Sequence, residues 1–234
     1  MSQSRFQSRP LLDFREAVLA DDSSHVSRVP INLAVRPRDL ALCVVSESVQ
    51  AATLADACSG LNPALQGSIC FLGQNWSDLN HEAANVLRGE IGRTLTRGAW
   101  LDGLSVLENI LFPQLHHTQR PLPEILSEAS ALARLFGLPG IPAGRHAALM
   151  ARDLQLAGCV RAFLGCPHLI VLERPVDDAE HDVIGALVNA AIRATERGSA
   201  VLWFTKRNSI RDTSIIPANR RFHVGGGEVV EELR

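Results

Sequence analysis

Residues 39–45 read DLALCVV, and this short, uninterrupted apolar run decides the fold class. A run of this length without alternating polar residues is typical of a strand buried on both faces of a parallel sheet. After it we predict a loop over residues 46–50 and a helix over residues 51–61, where the apolar residues have helical spacing. A buried strand followed by a helix is the repeating unit of an α/β sheet, so the chain is predicted to be an α/β protein.

The residues before this strand predict a β-rich opening. Residues 11–20 and 31–35 are two predicted strands, and a polar stretch separates them. Residues 1–10, rich in Ser, Arg and Gln, are predicted to be a flexible tail.

The residues after this strand predict further strands, a helical middle part and a second α/β block. Two strands are predicted at residues 67–72 and 90–94, and an irregular helical stretch at residues 104–138. The Pro/Gly-rich residues 138–144 indicate a boundary. Beyond them, the predicted elements are a helix at 152–164, a strand at 168–172, a helix at 178–197, a strand at 200–204 and a hairpin around 225–227.

Composition limits the partners that the chain can have. The 234 residues are 46% hydrophobic and 21% charged, enough for one sizeable core. A net charge of −2 gives no basic surface for nucleic acid, and the apolar runs are far shorter than the roughly 20 residues that span a bilayer. The five scattered cysteines form no C-x-x-C pair, so they favour a reducing cytosol over disulfides or zinc.

Three stretches together resemble the ATP-binding subunit of ABC transporters: IGRTLTRGAWLDGLSVLENI at residues 91–110, VRAFLGCPHLIVLERP at 160–175, and residues 37–61. The resemblance covers residues 11–231, and within the family it is nearest to subunits that energise bacterial lipid transport with an MCE component. It implies a P-loop NTPase-like fold in a single domain over residues 11–234. Such a fold has a parallel-sheet core, an N-terminal antiparallel β part and an inserted helical subdomain, here at about residues 97–147.

The phosphate loop of this family reads G-x-x-x-x-G-K-S-T and corresponds to residues 45–53. Its glycines let backbone N–H groups face the phosphates, its lysine reaches them, and a hydroxyl binds magnesium. Here Ala51 stands at the lysine position, and only Thr53 matches the motif. Val49 disfavours the positive φ values that glycine allows, and Glu47 would repel a polyphosphate. We therefore predict an ordinary strand–loop–helix connection without a phosphate site.

The catalytic positions of the family are also changed. The Walker B strand of the family ends in an aspartate that orients magnesium and a glutamate that polarises water, and here these are Glu173 and Arg174. Glu173 could still hold a hydrated cation, whereas a guanidinium cannot accept a proton, so we expect Arg174 to form a structural ion pair. Thr96 takes the place of the Q-loop glutamine, and Lys206 takes the place of the switch histidine.

The signature motif LSGGQ, which grips the γ-phosphate on a partner subunit, corresponds to residues 149–153. Only Leu149 matches, and Arg152 and Asp153 replace its last two residues. We expect Asp153 to help start the following helix instead, because a carboxylate in the first turn meets unpaired N–H groups and the helix dipole.

Two further regions bear on nucleotide and partner binding. The chain has no Phe, Trp or Tyr between Phe14 and Phe71 on which adenine could stack, and Asp22 stands near the expected place. Residues 176–180 (VDDAE) replace the D-loop with an acidic stretch, which we predict to be a solvated helix start. Trp100 lies where the family receives a coupling helix from its permease, so an exposed aromatic there would be a candidate anchor.

These substitutions predict a pseudo-ATPase: a non-hydrolysing binding or scaffold subunit of a membrane permease, cytoplasmic or peripheral on the inner membrane face. No cofactor or metal is expected, and any homodimer or heterodimer with another ATPase subunit would close weakly on ATP, since each pocket lacks one half. One alternative is a divergent but active ATPase that uses Mg-ATP through Thr53 and Glu173. Another is a soluble regulator that uses the former nucleotide cleft for a different ligand.

Overall fold

Two β-sheets and the helices around them make up the part of the protein that the computed structural model describes, residues 9–19, 29–95, 99–175, 181–206, 213–225 and 228–232. The strands are β1 (Leu12–Leu19), β2 (Ile31–Val35), β3 (Leu40–Val45), β4 (Ala64–Phe71), β5 (Gln74–Asn75), β6 (Ile91–Thr94), β7 (Leu169–Glu173), β8 (Ala200–Lys206), β9 (Arg220–Gly225) and β10 (Glu228–Glu231). The helices are α1 (Ser48–Cys58), α2 (His81–Arg88), α3 (Val106–His117), α4 (Leu122–Leu135), α5 (Ala151–Phe163) and α6 (His181–Glu196). Short 3₁₀ turns lie at Trp76–Asp78, His146–Ala148 and Thr213–Ile215.

The larger sheet has the strand order β10-β9-β3-β8-β7-β6, and its neighbouring strands are parallel except for the β9–β10 hairpin. The DLALCVV run forms β3 near its centre. Leu40 and Leu42 of this strand face one core cluster, while Ala41, Cys43 and Val45 face the other. Burial on both faces explains why the run has no polar alternation, and the predicted α/β fold with a parallel-sheet core is confirmed.

The smaller sheet has the order β2-β1-β4-β5 and is antiparallel throughout. Its buried side chains, including Leu12, Phe14 and Phe71, belong to the same core cluster as α1 and one face of β3. The predicted N-terminal antiparallel part is therefore present and covers one side of the parallel sheet.

A group of helices covers the other side of the parallel sheet. A capping box starts α3, because Ser105 Oγ accepts the Glu108 N–H and the Glu108 carboxylate accepts the Ser105 N–H. Helix α4 packs on α5 through Phe136 and Phe163, whose rings lie 5.6 Å apart. The predicted irregular stretch 104–138 is thus two helices, and the break between them is at residues 118–121.

Several predicted elements have different boundaries in the structure. Helix α1 begins at Ser48, inside the predicted loop 46–50, because side-chain bonds at its start let the helix form earlier. Helix α2, which Asn80 caps by accepting the Ala83 N–H, was not predicted. Residues 1–8 of the predicted tail lie outside the described residues. Among the helices in the described ranges, none combines the length and apolarity of a membrane span.

Candidate functional site

The carboxyl ends of β3, β7 and β8 meet at one edge of the parallel sheet. In register, Val45 of β3 lies opposite Lys206 of β8, and Glu173 of β7 lies opposite Phe204 of β8. This edge therefore brings together the start of α1, the end of β7 and the exposed Lys206. In open α/β sheets, ligands bind at the carboxyl ends of the strands, so this edge is the first candidate site.

The connection from β3 to α1 is a turn of two residues, Ser46 and Glu47. The side-chain Oε1 of Gln50 accepts the N–H of Ser46 at 3.2 Å and the N–H of Glu47 at 3.1 Å, and Val224 O also accepts the Ser46 N–H. None of the residues 45–53 has a positive φ. The two N–H groups of this turn are thus bonded within the chain.

The former lysine and hydroxyl positions lie on α1 itself. Ala51 is fully buried and belongs to the core cluster that also contains Cys43, Val45 and Val171. Thr53 is half-buried in the second turn of the same helix. Residue 51 therefore faces the core, where a lysine ammonium would have no water.

Glu173, the last residue of β7, is buried and forms an ion pair with Arg93 of β6. The other end of the same guanidinium lies 2.7 Å from Asp56 of α1, and Thr94 Oγ1 accepts the Glu173 N–H at 2.8 Å. Burial raises the pKa of the neighbouring Cys58 thiol to about 12. The predicted cation-binding carboxylate is thus part of a bridge between two strands and a helix.

Arg174 follows Glu173 with a φ of 46°, a value that side-chain-bearing residues rarely adopt. Its N–H donates to Phe204 O at 3.0 Å, and its guanidinium donates to Ser48 Oγ at the first residue of α1. The positive φ turns the chain away from β7 and directs the side chain across the edge. Arg174 therefore lies over the start of α1, where its hydrogen bond joins β7 to this helix.

The residues at the signature positions start α5. Leu149 is half-buried. Met150 is 73% exposed and is the N-cap residue of α5. Arg152 is exposed, and Asp153 lies in the first turn of the helix, which begins at Ala151. Three other predicted positions, Asp22, Thr96 and the stretch 176–180, lie outside the described residues.

A cleft of about 700 Å³ lies between α3, β6 and the end of α5. The apolar residues Leu101 and Phe112 line it and are 51% and 46% exposed. Trp100 is half-buried, packs against the helical core and is covered by the Arg161 guanidinium 4.8 Å from its ring centre. Its neighbours Ala99 and Leu101 belong to the cleft lining, but Trp100 does not. The exposed aromatic expected at Trp100 is therefore absent at that position, and the exposed apolar side chain beside it is Leu101.

Comparisons with known proteins find the same fold in solved structures and partial sequence matches to ATP-binding proteins. No protein-family model matches the sequence. The chain superposes on the dimeric structure of the bacterial ABC transporter cassette MJ0796 with a TM-score of 0.81 at 16% identity, over 94% of this chain and 97% of that chain. It is 26% identical to the phosphonates import ATP-binding protein PhnC of Alcaligenes faecalis, over 62% of this chain and 55% of that protein.

Two more relatives are named for other transport systems. The lipoprotein-releasing system ATP-binding protein LolD of Pseudomonas syringae is 26% identical over 64% of this chain and 66% of its own length. The intermembrane phospholipid transport system ATP-binding protein MlaF of Haemophilus influenzae is 26% identical over 71% and 63%. The chain is a homologue of ABC transporter ATP-binding cassettes. The matched regions span from about half to about two thirds of these relatives.

The fold family of ABC cassettes implies a magnesium-bound nucleotide, and the described residues of this cassette do not fit one. The N–H groups of the β3–α1 turn are bonded to Gln50, and the carboxylate of Glu173 is paired with Arg93. No group of three or more His, Cys, Asp or Glu side chains within the described ranges could hold a metal ion. The polar groups of this edge are therefore satisfied by one another.

Three residues of this ABC cassette homologue that the sequence analysis did not single out shape the two regions. Arg93 pairs with the edge carboxylates, as described above. The buried Asn109 accepts the Leu101 N–H at 2.8 Å and donates to Leu101 O at 3.2 Å, which fixes the segment before α3. Phe112 is exposed one turn further along α3. The SVLENI stretch contains Asn109, but its spacing did not reveal this bond.

Proposed function

We propose that the protein is a non-hydrolysing, partner-binding subunit of an ABC-type transport system. The observation that carries the proposal is the two-residue β3–α1 turn, in which the N–H groups of Ser46 and Glu47 donate to Gln50 Oε1 instead of remaining free for a phosphate. A backbone nest binds phosphate only through N–H groups that are free to point at it. The pairing of Glu173 with Arg93 supports the same conclusion for the metal.

The partner that we propose is a membrane permease, bound through the cleft. The names of the relatives assign them to import, release and lipid-transport systems, and the open cleft beside α3 has Leu101 and Phe112 exposed on its wall. Exposed apolar side chains beside fixed polar groups are typical of a protein contact. We propose that such binding places the protein on the cytoplasmic membrane face, as a homodimer or beside another ATPase subunit.

Calorimetry with Mg-ATP tests the absence of hydrolysis. We expect no heat of binding at micromolar protein and no phosphate release above that of buffer. Saturable micromolar binding with turnover that Thr53→Ala or Glu173→Gln abolishes would establish the active ATPase instead. A thermal-shift screen of other small molecules would detect a ligand-binding regulator.

Co-purification tests the partner. The tagged protein should retain the permease encoded in its own gene neighbourhood after detergent extraction, in the presence and in the absence of ATP. For the narrower proposal of lipid transport, which rests on the MlaF relative, the same preparation should contain an MCE-domain protein. Failure to retain any neighbouring permease would refute the scaffold proposal.

A further inference from the structure

A ring of hydrogen bonds on one wall of the cleft joins α3, α4 and the turn between α5 and β7. Gln114 of α3 donates through Nε2 to Leu164 O at 3.3 Å and accepts from Arg120 through Oε1 at 3.1 Å. Arg120 also donates to Glu128 of α4 at 2.7 Å, and the other carboxylate oxygen of Glu128 accepts the Gly165 N–H at 3.1 Å. All five residues line the cleft, so the ring borders the surface that a partner would contact.

The ring can close because residue 165 is a glycine. Gly165 is buried and has a φ of 84°, a value that residues with a side chain rarely adopt. A Cβ at this position would lie 2.5 Å from Gln114 Nε2 and 2.8 Å from Gln114 Oε1, so a larger residue would push the Gln114 side chain away. Helix α3 thus lies directly against the α5–β7 turn at the point where the bonds form.

The cleft that these bonds border leaves apolar side chains exposed. Leu101 and Phe112, on the α3 side, are 51% and 46% exposed, and Ile91 and Pro167 belong to the lining on the sheet side. Because burial of apolar surface is favourable, closure of the cleft would be favourable unless its walls were held apart. A fixed spacing between α3 and the α5–β7 turn meets that requirement.

We infer that Gln114, Arg120 and Glu128 form a latch that fixes this spacing and keeps the cleft open before a partner or a nucleotide binds. Each of the three side chains has two partners in the ring, so the loss of one side chain breaks two bonds at once. The side chains of Arg120 and Glu128 are 33% and 30% exposed, so their ion pair contributes little to the overall stability. The inference goes beyond the proposed function, since it concerns the shape of the cleft and holds for any partner.

The exposed Cys166 provides a measure of whether the cleft is open. Cys166 belongs to the cleft lining, whereas Cys43, Cys58 and Cys159 are buried. A thiol reacts with N-ethylmaleimide only where the reagent can reach it, so the rate at Cys166 should follow the opening of the cleft. Mass spectrometry of the modified peptides separates this rate from that of the partly exposed Cys70.

Arg120→Met and Glu128→Ala each remove two bonds of the latch, so the walls of the cleft should approach each other. We expect the modification rate of Cys166 to fall about threefold or more in either variant, and no further in the double variant, because the same latch is lost in all three. The melting temperature should fall by less than about 4 °C in each single variant. A change of local charge alone would move the two rates in opposite directions, because loss of a cation disfavours a thiolate and loss of a carboxylate favours it.

Arg134→Met is the matched control. Arg134 is exposed in the last turn of α4 and is not among the cleft-lining residues, so its removal should leave the rate at Cys166 unchanged. Unchanged or faster modification in Arg120→Met and Glu128→Ala, opposite changes in the two, or an equal fall in Arg134→Met would overturn the inference. Variants that unfold would overturn it too, because the bonds would then hold the fold and not the cleft.

No nucleotide or permease enters this experiment, so its result is separate from that of the proposed function. Slower modification in both variants of a protein that retains no permease would count only against the scaffold proposal. Retention of a permease by a protein whose cleft stays open in both variants would count only against the latch.

Discussion

The β3–α1 edge and the cleft beside α3 both include residues of β6, but their polar and apolar groups differ in how far they are satisfied within the chain. At the edge, Gln50 accepts the turn N–H groups, and Arg93 pairs with Glu173. In the cleft, Leu101 and Phe112 remain exposed although the chain around them is fixed by hydrogen bonds. The edge satisfies its own groups internally, while the cleft leaves apolar surface that another molecule could cover.

This contrast indicates which parts of an ABC cassette can change independently. At the sheet edge, a short turn and one buried ion pair bond the polar groups described above. Retention of a cleft requires the packing of α3, α4 and α5 to stay intact. The polar contacts of the cleft wall, in which Glu128 accepts from Arg120 and from the Gly165 N–H, belong to that packing.

Gly92→Ala should disrupt both regions, because β6 lies between them. A Cβ at Gly92 would collide with the backbone oxygen of Ala162, so α5 could not approach β6 as it does. We expect a loss of about 4 kcal/mol or more in unfolding free energy, measured by chemical denaturation. Gly185→Ala on the exposed face of α6 has open space around the new Cβ and should be neutral or stabilising by up to about 1 kcal/mol. Equal stability of the two variants would contradict the packing described.

Ala51→Lys restores one residue of the phosphate loop and should still fail to restore nucleotide binding. Residue 51 is fully buried, so the ammonium would enter the core and cost about 3 kcal/mol. Ala52→Lys is the control, since residue 52 is half-buried and should cost less than about 1 kcal/mol. Micromolar Mg-ATP binding by a stable Ala51→Lys protein would show that this sheet edge can accommodate a nucleotide.

The sequence was sufficient to predict the sheet, because burial on both faces leaves a local signal. The DLALCVV run predicted β3 and its burial on both faces, and the runs near residues 168 and 200 predicted β7 and β8. Helix α2 gave no such signal, since only Ala84 and Leu87 among its eight residues are buried. The predicted start of α1 at residue 51 was also too late, because the Gln50 side chain bonds the turn N–H groups and the helix begins at Ser48.

The contacts of the candidate site could not be predicted to the same depth. Arg93, Asp56 and Glu173 come from β6, α1 and β7, and no spacing along the chain indicates that one guanidinium meets both carboxylates. For Trp100 the segment was predicted but the direction of the side chain was not, because packing against Arg161 decides it. Sequence patterns thus predicted which residues differ from the family motifs, and the structure was needed to show which contacts those residues make.

Phe112→Ser should weaken permease binding without changing the fold. Phe112 is exposed, so the unfolding free energy should change by less than about 1 kcal/mol, while the affinity for the permease should fall about tenfold or more. Leu115→Ser is matched to it, since Leu115 is 51% exposed on the same helix but is not among the cleft-lining residues. Retention of the permease in detergent at graded salt measures both variants. If Leu115→Ser weakens binding as much, the contact lies elsewhere on α3.

Gln50→Ala should have the smallest effect on the unfolding free energy. It tests how much the Gln50 side chain contributes to holding the β3–α1 turn. The Gln50 amide oxygen accepts the Glu47 N–H and shares the Ser46 N–H with Val224 O, so its removal leaves one donor to water and should cost about 1 kcal/mol. Val49→Ala, in the same helical turn and exposed, should change stability by less than about 0.5 kcal/mol. The freed Glu47 N–H should still not bind Mg-ATP, because the Glu47 carboxylate beside it repels phosphate and Arg93 still holds Glu173. ATP binding by Gln50→Ala would mean that the Gln50 side chain alone prevents nucleotide binding at this edge.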